Sequence, residues 1–251
     1  MNGGTEVLVA ELDGEISTDL TGLTLGNTVY YAAFATNALG TSFGDTLSFV
    51  PTACTPITYD GYEYGTVRIG NQCWFTQNLR TDKYADGTSI PGGLDDAAWS
   101  ATTSGAQAIY AGDSATYFAD NGRLYNWYAV NDAAGLCPSG WHVPTLDEFH
   151  ELRDYLGDSN AGEQMKSSPS DVPAWDGTNT SGFSAVPGGM RLANGNYFTS
   201  TGGSRSWWTA TQFNTYAWRQ TVTGGLTTVG QNAENFTYGY SVRCLRIQGV
   251  E

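Results

Sequence analysis

The fold is decided by a stretch near the middle of the chain, Leu136-Cys137-Pro138-Ser139-Gly140-Trp141-His142-Val143-Pro144-Thr145, and by the residues directly after it. Thr145 and Glu148 form a capping box, in which the Thr145 oxygen accepts from an exposed amide while Glu148 reaches back. Phe149, Leu152 and Leu156 then recur on one helical face. Gly157 is placed to end the helix. The sequence therefore predicts one well-defined helix between Thr145 and Gly157.

Strand patterns flank this helix on both sides. A Gly70-Asn71 turn between Thr66–Ile69 and Gln72–Phe75 predicts a β-hairpin. From Gly182 onward the pattern is that of strands again, and it closes with a strand over residues 240–247. The Gly-, Asp- and Ala-rich region from Thr81 to Asp120 is predicted to be irregular. Helix and strands in separate segments indicate an α+β fold.

The first fifty residues have a different sequence pattern from the rest of the chain, and this pattern predicts short strands. These cover Glu6–Ala10, Val29–Ala35 and Asp45–Val50, with a turn over Asn37–Gly40. Residues 23–49 resemble the final two strands of a fibronectin type III domain, although Leu25 stands where proline is usual and Val29 where a tyrosine is expected. We therefore predict a partial, all-β fibronectin III-like spacer over residues 1–51, with a boundary at Pro51-Thr52-Ala53, and a second domain over residues 52–251.

Composition excludes several classes of partner. The net charge of −14 disfavours binding to nucleic acid or to anionic lipid. No apolar stretch of about 18 residues exists, so direct membrane insertion is not expected. Met1-Asn2-Gly3-Gly4 has neither a basic region nor an apolar core, so an export signal is not present in this chain and is expected upstream. Oligomeric state is left open.

Four cysteines occur, at Cys54, Cys73, Cys137 and Cys244. They form no Cys-x-x-Cys pair, and with only two histidines the pattern disfavours a zinc site. An even count in a chain poor in Lys favours two disulfides and an extracellular or cell-surface location. Three connectivities are open, of which we predict Cys54–Cys73 and Cys137–Cys244; a reduced, cytosolic chain is the alternative.

From Cys54 to about Ile247 the chain resembles the Fibrobacter succinogenes major paralogous domain. The segments that carry the resemblance stand in the family's order, and they are Tyr59-Asp60-Gly61, residues 67–74, Gln77-Asn78-Leu79, residues 122–130, residues 136–145, residues 182–189, residues 207–211 and residues 239–244. The layout is also similar, more distantly, to formylglycine-generating enzymes. The resemblance implies a C-type-lectin-like domain with small antiparallel sheets, one or two helices and much irregular loop.

Catalysis is not expected from this sequence. A formylglycine-generating oxidase needs two cysteines close together near its C-terminus, and Cys244 stands alone there. Gly40-Thr41-Ser42-Phe43-Gly44 fits Gly-x-Ser-x-Gly, but no helix follows it to form a nucleophile elbow. His142 lies within a family segment and His150 on the polar side of the predicted helix, so structural roles are predicted for both. The sequence therefore predicts a protein that is not an enzyme.

Ligand binding is favoured by the segment from Thr209 to Tyr240, whose only charged residues are Arg219 and Glu234. Rigid aromatic rings among short polar side chains are typical of paratopes and sugar sites. The predicted ligand-binding residues share this character, and they are Gln212, Phe213, Asn214, Tyr216, Trp218, Gln220, Thr227, Gln231, Asn232, Asn235 and Tyr238. Trp207 and Trp208 are assigned to the framework instead. The alternative is that alternate residues of this segment only fill the core.

The resemblance extends to the variable target proteins of diversity-generating retroelements, whose variable residues lie just before the C-terminal strand. It implies a protein or glycan on a cell surface as partner and no cofactor. The alternative function is a structural surface or adhesin spacer without a dedicated ligand. Calcium as a structural ion is the alternative to no cofactor, with candidates Asp95, Asp96, Asp113 and Asp120 in a loop-rich region.

Overall fold

The computed structural model describes residues 24, 26–50, 53–199 and 203–247. The chain divides into two compact units, Met1–Ala53 with Gly249–Glu251, and Cys54–Gln248. The boundary between the units lies after Ala53, two residues beyond the end of the spacer predicted from the sequence, residue 51. The predicted strand Glu6–Ala10 lies outside the described residues, and so does Leu25, where fibronectin type III domains usually have proline.

The first unit contains two nested strand pairs. Its strands are β1 (Val29–Tyr31), β2 (Phe34–Asn37), β3 (Gly40–Phe43) and β4 (Leu47–Phe49). β2 and β3 form the inner hairpin around the predicted turn, and β1 pairs with β4 outside it. The single strand expected over residues 29–35 is therefore wrong, because its two halves pair with different partners.

The second unit contains more helix than the sequence suggested. Among the described residues the α-helices are α1 (Asp96–Ala101), α2 (Ser114–Asn121), α3 (Trp127–Val130), α4 (Leu146–Leu156) and α5 (Ala161–Met165). The expectations of one or two helices, and of irregular structure over residues 81–120, are therefore corrected. Asp95 and Asp113 explain the helices within residues 81–120, because each accepts a hydrogen bond from the amide three residues on and so caps α1 or α2.

Helix α4 confirms the prediction made from the central stretch. The Glu148 amide donates to Thr145 Oγ1 at 3.2 Å, and the Thr145 amide donates to Glu148 Oε2 at 2.7 Å. Phe149 and Leu152 are buried, whereas Leu156 is partly buried at the edge of the same cluster. Gly157 has a φ of 79°, a conformation that glycine adopts without strain, and ends the helix.

Short antiparallel sheets complete the second unit. Its strands are β5 (Ile57–Tyr59), β6 (Tyr62–Tyr64), β7 (Thr66–Ile69), β8 (Gln72–Phe75), β9 (Gln107–Ala108), β10 (Leu124–Tyr125), β11 (Met190–Arg191), β12 (Tyr197–Phe198), β13 (Ser204–Phe213), β14 (Tyr216–Thr223), β15 (Val229–Asn235) and β16 (Leu245–Ile247). The predicted hairpin is confirmed as β7–β8, and β16 pairs with β8. The C-terminal strand thus joins the hairpin near the start of the unit, and helices with small sheets give an α+β fold.

Both predicted disulfides are present. Cys54 pairs with Cys73, and Cys137 pairs with Cys244, with Cα atoms 5.6 and 5.8 Å apart. Disulfides form and persist in oxidising compartments, so the pair indicates an oxidising environment for this protein. In the part of the chain that the structure describes, no helix has the length and apolar character to cross a bilayer.

Strand β13 separates two hydrophobic clusters of the core. Trp208 belongs to a cluster that includes both cysteines of the Cys137–Cys244 disulfide, and Trp207 belongs to one that includes Phe149 of α4. Consecutive residues of a strand point to opposite faces, so this tryptophan pair fixes β13 between the two clusters. The sheet that carries most of the predicted ligand-binding residues is thus anchored at its β13 edge.

Candidate ligand-binding surface

The candidate surface is built on the sheet β13–β14–β15. Trp207 lies opposite Gln220, and Trp208 lies opposite Arg219. Both tryptophans are buried, and each indole N–H donates a hydrogen bond of 2.8 Å, from Trp207 to Asn78 Oδ1 and from Trp208 to the Tyr125 carbonyl. The prediction that this pair belongs to the framework is confirmed.

The far end of the β13–β14 hairpin is exposed. Phe213 and Tyr216 lie opposite each other and are 48% and 46% exposed. The Phe213 ring centroid lies 5.4 Å from that of the partly buried Trp218, so the two rings are in contact. Asn214 makes the turn with a φ of 54°. Two exposed rings are therefore held on a rigid hairpin rather than on a free loop.

One amide side chain borders these rings, and a second lies on the other face of the hairpin. Asn235 of β15 lies opposite Tyr216, so their side chains share one face of the sheet. Gln212 donates from Nε2 to the Asn214 carbonyl at 2.7 Å, which ties its side chain across the turn. We call the exposed hairpin end the tip surface, and it consists of Gln212, Phe213, Asn214, Tyr216, Trp218 and Asn235.

Gln220 does not belong to this surface, and its prediction as a ligand-binding residue is corrected. Its side chain is 0% exposed and lies opposite the buried Trp207. Neither Oε1 nor Nε2 has a hydrogen-bond partner among the described residues. A side chain enclosed in this way cannot contact a ligand without opening the sheet.

Thr227 and Gln231 are exposed, but the structure places them away from the tip surface. Thr227 lies in the turn between β14 and β15, at the opposite end of the sheet, where its hydroxyl donates to the Ser159 carbonyl at 2.8 Å. Gln231 Oε1 lies 2.9 Å from His150 Nε2 and 3.0 Å from an Arg153 nitrogen. Both side chains therefore tie the sheet to the region of α4 and α5.

Asn232 and Tyr238 also lie apart from the exposed rings. Asn232 lies opposite Arg219, on the other face of the sheet from Gln231, and donates to Glu234 Oε1 at 2.9 Å. Tyr238 is partly buried, with its ring nearly parallel to that of Tyr240 at 5.8 Å. The sequence prediction thus divides into the tip surface and several positions that support the sheet.

A groove adjoins the tip surface, and sequence reasoning did not find it. It is an open groove of about 510 Å³, and its lining residues come from four separate segments, namely Ser100, Ala101, Thr102, Thr103, Tyr128, Ala193, Asn194, Asn235 and Thr237. Asn235 belongs both to the groove and to the tip surface. No local sequence signal marks the groove, since it exists only once these segments pack together.

A second, smaller cavity of about 320 Å³ lies elsewhere in the same unit. It is lined by Thr76, Gln77, Ser167, Asp171, Val172, Pro173, Asn179, Ser184 and Val186. Asp171 accepts hydrogen bonds from the Ser168 amide at 2.6 Å and from Asn179 Nδ2 at 3.0 Å. These bonds favour the carboxylate and lower the pKa of Asp171, with the Ser168 backbone as the main cause. The polar groups of this cavity are thus largely paired with one another.

The side chains weighed as catalytic candidates have structural partners. His142 Nε2 lies 2.6 Å from Glu148 Oε1, so this histidine braces the α4 capping box, and His150 contacts Gln231 as described. Burial alone would raise the pKa of Glu148, but hydrogen bonds from His142 and Thr145 outweigh it and lower that pKa. Ser42 lies within strand β3, and all four cysteines are in disulfides.

Three of the four carboxylates considered for calcium have other roles. Asp95 and Asp113 cap helices, and Asp96 lies 3.4 Å from an Arg191 nitrogen. Within the described ranges, no group of three or more His, Cys, Asp or Glu side chains is placed to hold a metal ion. The structure thus gives these three aspartates roles as helix caps or ion-pair partners, and it brings none of the four together with others as a ligand set.

These features define a class: a two-disulfide α+β domain of short antiparallel sheets, in which one hairpin exposes aromatic rings at its end. Residues 67–246 match the family model of the Fibrobacter succinogenes major domain, so the chain belongs to this family. No curated protein and no solved structure matches the chain. The family resemblance found in the sequence segments is thus confirmed.

Proposed function

We propose that this chain is a non-catalytic ligand-binding module with a C-type-lectin-like fold, which acts outside the cell or at its surface. The tip surface binds a protein or a glycan, without a cofactor. The observation that carries the proposal is the exposure of Phe213 and Tyr216 side by side on a hairpin. Exposed aromatic clusters on soluble domains usually mark interaction sites.

The energetics of such a site favour recognition. Aromatic rings bury a large area at little cost in conformational entropy, and the hairpin already holds these two rings in place. The ring of Phe213 packs against that of Trp218, with the ring centroids 5.4 Å apart. Asn235 at the border carries an amide group whose Oδ1 is held by the Thr237 amide and hydroxyl, which fixes its orientation. A pre-organised surface of this kind loses little freedom on binding, which raises affinity.

The test is a binding screen of the purified protein on glycan and bacterial-surface arrays, followed by affinity measurements with variants. We expect the double variant F213A/Y216A to weaken binding by about thirtyfold or more, the size of effect typical of hot-spot residues. Y155A is the matched control, because Tyr155 is an aromatic residue on α4 with 66% exposure. Equal affinities for wild type and F213A/Y216A, with both folded, would place recognition elsewhere.

The proposal extends to a diversified surface, as in target proteins of diversity-generating retroelements. Phe213, Asn214 and Tyr216 are exposed turn and strand-end positions, where changes of side chain leave the core intact. Sequencing this gene across a natural population tests the idea. We expect substitutions to concentrate at the tip surface and to spare Trp207 and Trp208. Variation spread evenly over exposed residues of the whole domain would refute diversification.

Residues 1–51 are proposed to act as a fibronectin III-like spacer. The described part of this segment, residues 24 and 26–50, carries only short strand pairs. A chain that begins at Ala53 is expected to bind any ligand found on the arrays with the affinity of the full chain. Lost binding in a folded truncated protein would instead assign the segment a part in recognition.

A further inference from the structure

The groove beside the tip surface is lined by uncharged groups on a strongly acidic protein. The chain has 25 acidic and 11 basic residues, yet none of the lining residues described here carries a charged side chain. Apart from two alanines and the Tyr128 ring, the lining consists of hydroxyl and amide side chains, namely Ser100, Thr102, Thr103, Asn194, Asn235 and Thr237. These groups both donate and accept hydrogen bonds. Some of this capacity is used within the protein, because Asn235 Oδ1 accepts from the Thr237 amide and hydroxyl at 3.0 Å each and Asn194 Oδ1 accepts from the Asn196 amide at 3.1 Å.

The groove and the tip surface are continuous. Asn235 lines the groove and lies directly opposite Tyr216, so the two side chains are about 5 Å apart at their Cβ atoms. At the other side of Asn235, the Tyr128 ring meets Phe236 edge-on at 5.6 Å, and Phe236 stacks on the buried Trp127 at 4.5 Å. The ring of Tyr128 is therefore held in the groove by Phe236, and the strand register places Tyr216 beside Asn235 at its border.

We propose that the groove and the tip surface together bind a neutral oligosaccharide chain. The apolar faces of sugar rings stack on Tyr216 and Phe213, and the sugar hydroxyls hydrogen-bond to the hydroxyl and amide groups of the groove. The volume of about 510 Å³ lies within the usual range for small-ligand sites. This inference rests on the proposed function, because Tyr216 and Asn235 belong to the tip surface.

The lining chemistry favours a sugar over a protein segment. Protein recognition concentrates its energy in buried aromatic, aliphatic or Arg anchors that fill apolar pockets. This groove offers no aliphatic side chain larger than Ala101 or Ala193 to receive such an anchor. An acidic glycan needs a cationic partner, and none of the lining residues supplies one. Hydroxyl-rich, uncharged ligands match both the donors and the acceptors that line the groove.

The test is calorimetric titration, which measures the affinity of the full chain for short neutral oligosaccharides built from glucose, mannose, xylose or N-acetylglucosamine. Oligogalacturonates and uncharged peptides are titrated alongside them. T103R places a long side chain in the groove from an exposed position, and T228R is its matched control in the exposed turn before β15. F213A/Y216A tests the tip surface separately, and thermal melts establish that each variant folds.

We expect at least one neutral oligosaccharide to bind wild type and T228R alike, and both T103R and F213A/Y216A to weaken it by about tenfold or more. Absence of binding by every neutral oligosaccharide overturns the inference, as does binding unaffected by T103R. Stronger binding of oligogalacturonate or of a peptide overturns the neutral-sugar assignment. If an array ligand no longer binds F213A/Y216A but still binds T103R, the groove is not part of the binding site. The proposal that the tip surface binds a ligand would then still hold.

Discussion

At the scale of single residues, Gln220 and Gln72 form an informative pair. Both are buried, with 0% and 2% exposure. Gln72 donates to the Glu148 carbonyl at 2.7 Å and accepts from the Trp74 indole at 2.9 Å, whereas both polar atoms of Gln220 lack partners among the described residues. An unpaired buried polar group costs about 1–3 kcal/mol. The two glutamines therefore have opposite effects on stability.

We predict that Q220M raises the free energy of unfolding by about 1 kcal/mol, since methionine fills a similar volume without polar atoms. Q72M serves as its matched control, and it is expected to lower the free energy of unfolding by about 1–3 kcal/mol because it leaves the Trp74 indole unpaired. Urea denaturation measures both. A Q220M protein less stable than wild type would show that Gln220 has a partner in solution.

Glu148 links stability to pH. Its folded-state pKa is lowered from the usual 4.5 because hydrogen bonds from His142 and Thr145 outweigh the effect of burial. The stabilisation is therefore complete above pH 4.5 and is lost as pH falls through the folded-state pKa. We predict a steeper loss of stability on acidification for wild type than for E148Q. Parallel curves of unfolding free energy against pH for the two proteins would contradict this assignment.

At the scale of elements, the capping box of α4 is the most direct link between sequence and fold. Thr145 accepts the Glu148 amide, and its own amide donates to the Glu148 carboxylate. T145A is predicted to lower the free energy of unfolding by about 1 kcal/mol, the usual cost of losing an N-cap. T228A, at an exposed threonine outside any helix, is expected to change it by less than about 0.5 kcal/mol. Equal effects in chemical denaturation would argue against the cap.

Elements with complete local signals were predictable, and elements without them were not. Helix α4 has a cap, a periodic apolar face and a terminal glycine, and the β7–β8 hairpin has its Gly70-Asn71 turn. Helices α1 and α2 have capping aspartates, but each buries only one residue, so no periodicity reveals them. Gln220 was wrongly predicted to bind ligand, because the alternation of polar and apolar residues along a strand does not show that a polar side chain is buried.

The candidate site was predictable only in part for a related reason. Composition identified the aromatic residues Phe213 and Tyr216, because the whole tip surface except Asn235 lies within one hairpin. The groove is lined by residues near positions 100, 128, 194 and 235, which are brought together only in the folded chain. Sequence alone therefore could not predict it. Local sequence predicts local surfaces, whereas a surface assembled from distant segments depends on packing.

At the scale of the whole molecule, the two disulfides close loops of very different length. Cys137 and Cys244 are 107 residues apart, and Cys54 and Cys73 are 19 apart. In the chain-entropy account, these loops contribute about 4–5 and about 3 kcal/mol. We predict that the double variant C137A/C244A lowers the free energy of unfolding by about 1–2 kcal/mol more than C54A/C73A. Denaturant titrations that reverse this order would contradict the entropic account.

The central claim is that the hairpin end of the β13–β15 sheet is where this protein meets its ligand. Hydrogen–deuterium exchange with and without the strongest ligand from the arrays tests it directly, without altering the chain. The account predicts slower exchange in peptides that cover residues 209–218 and 231–238, and in the groove segment over residues 100–104. Protection confined to other segments, such as the cavity lining over residues 167–186, would contradict it.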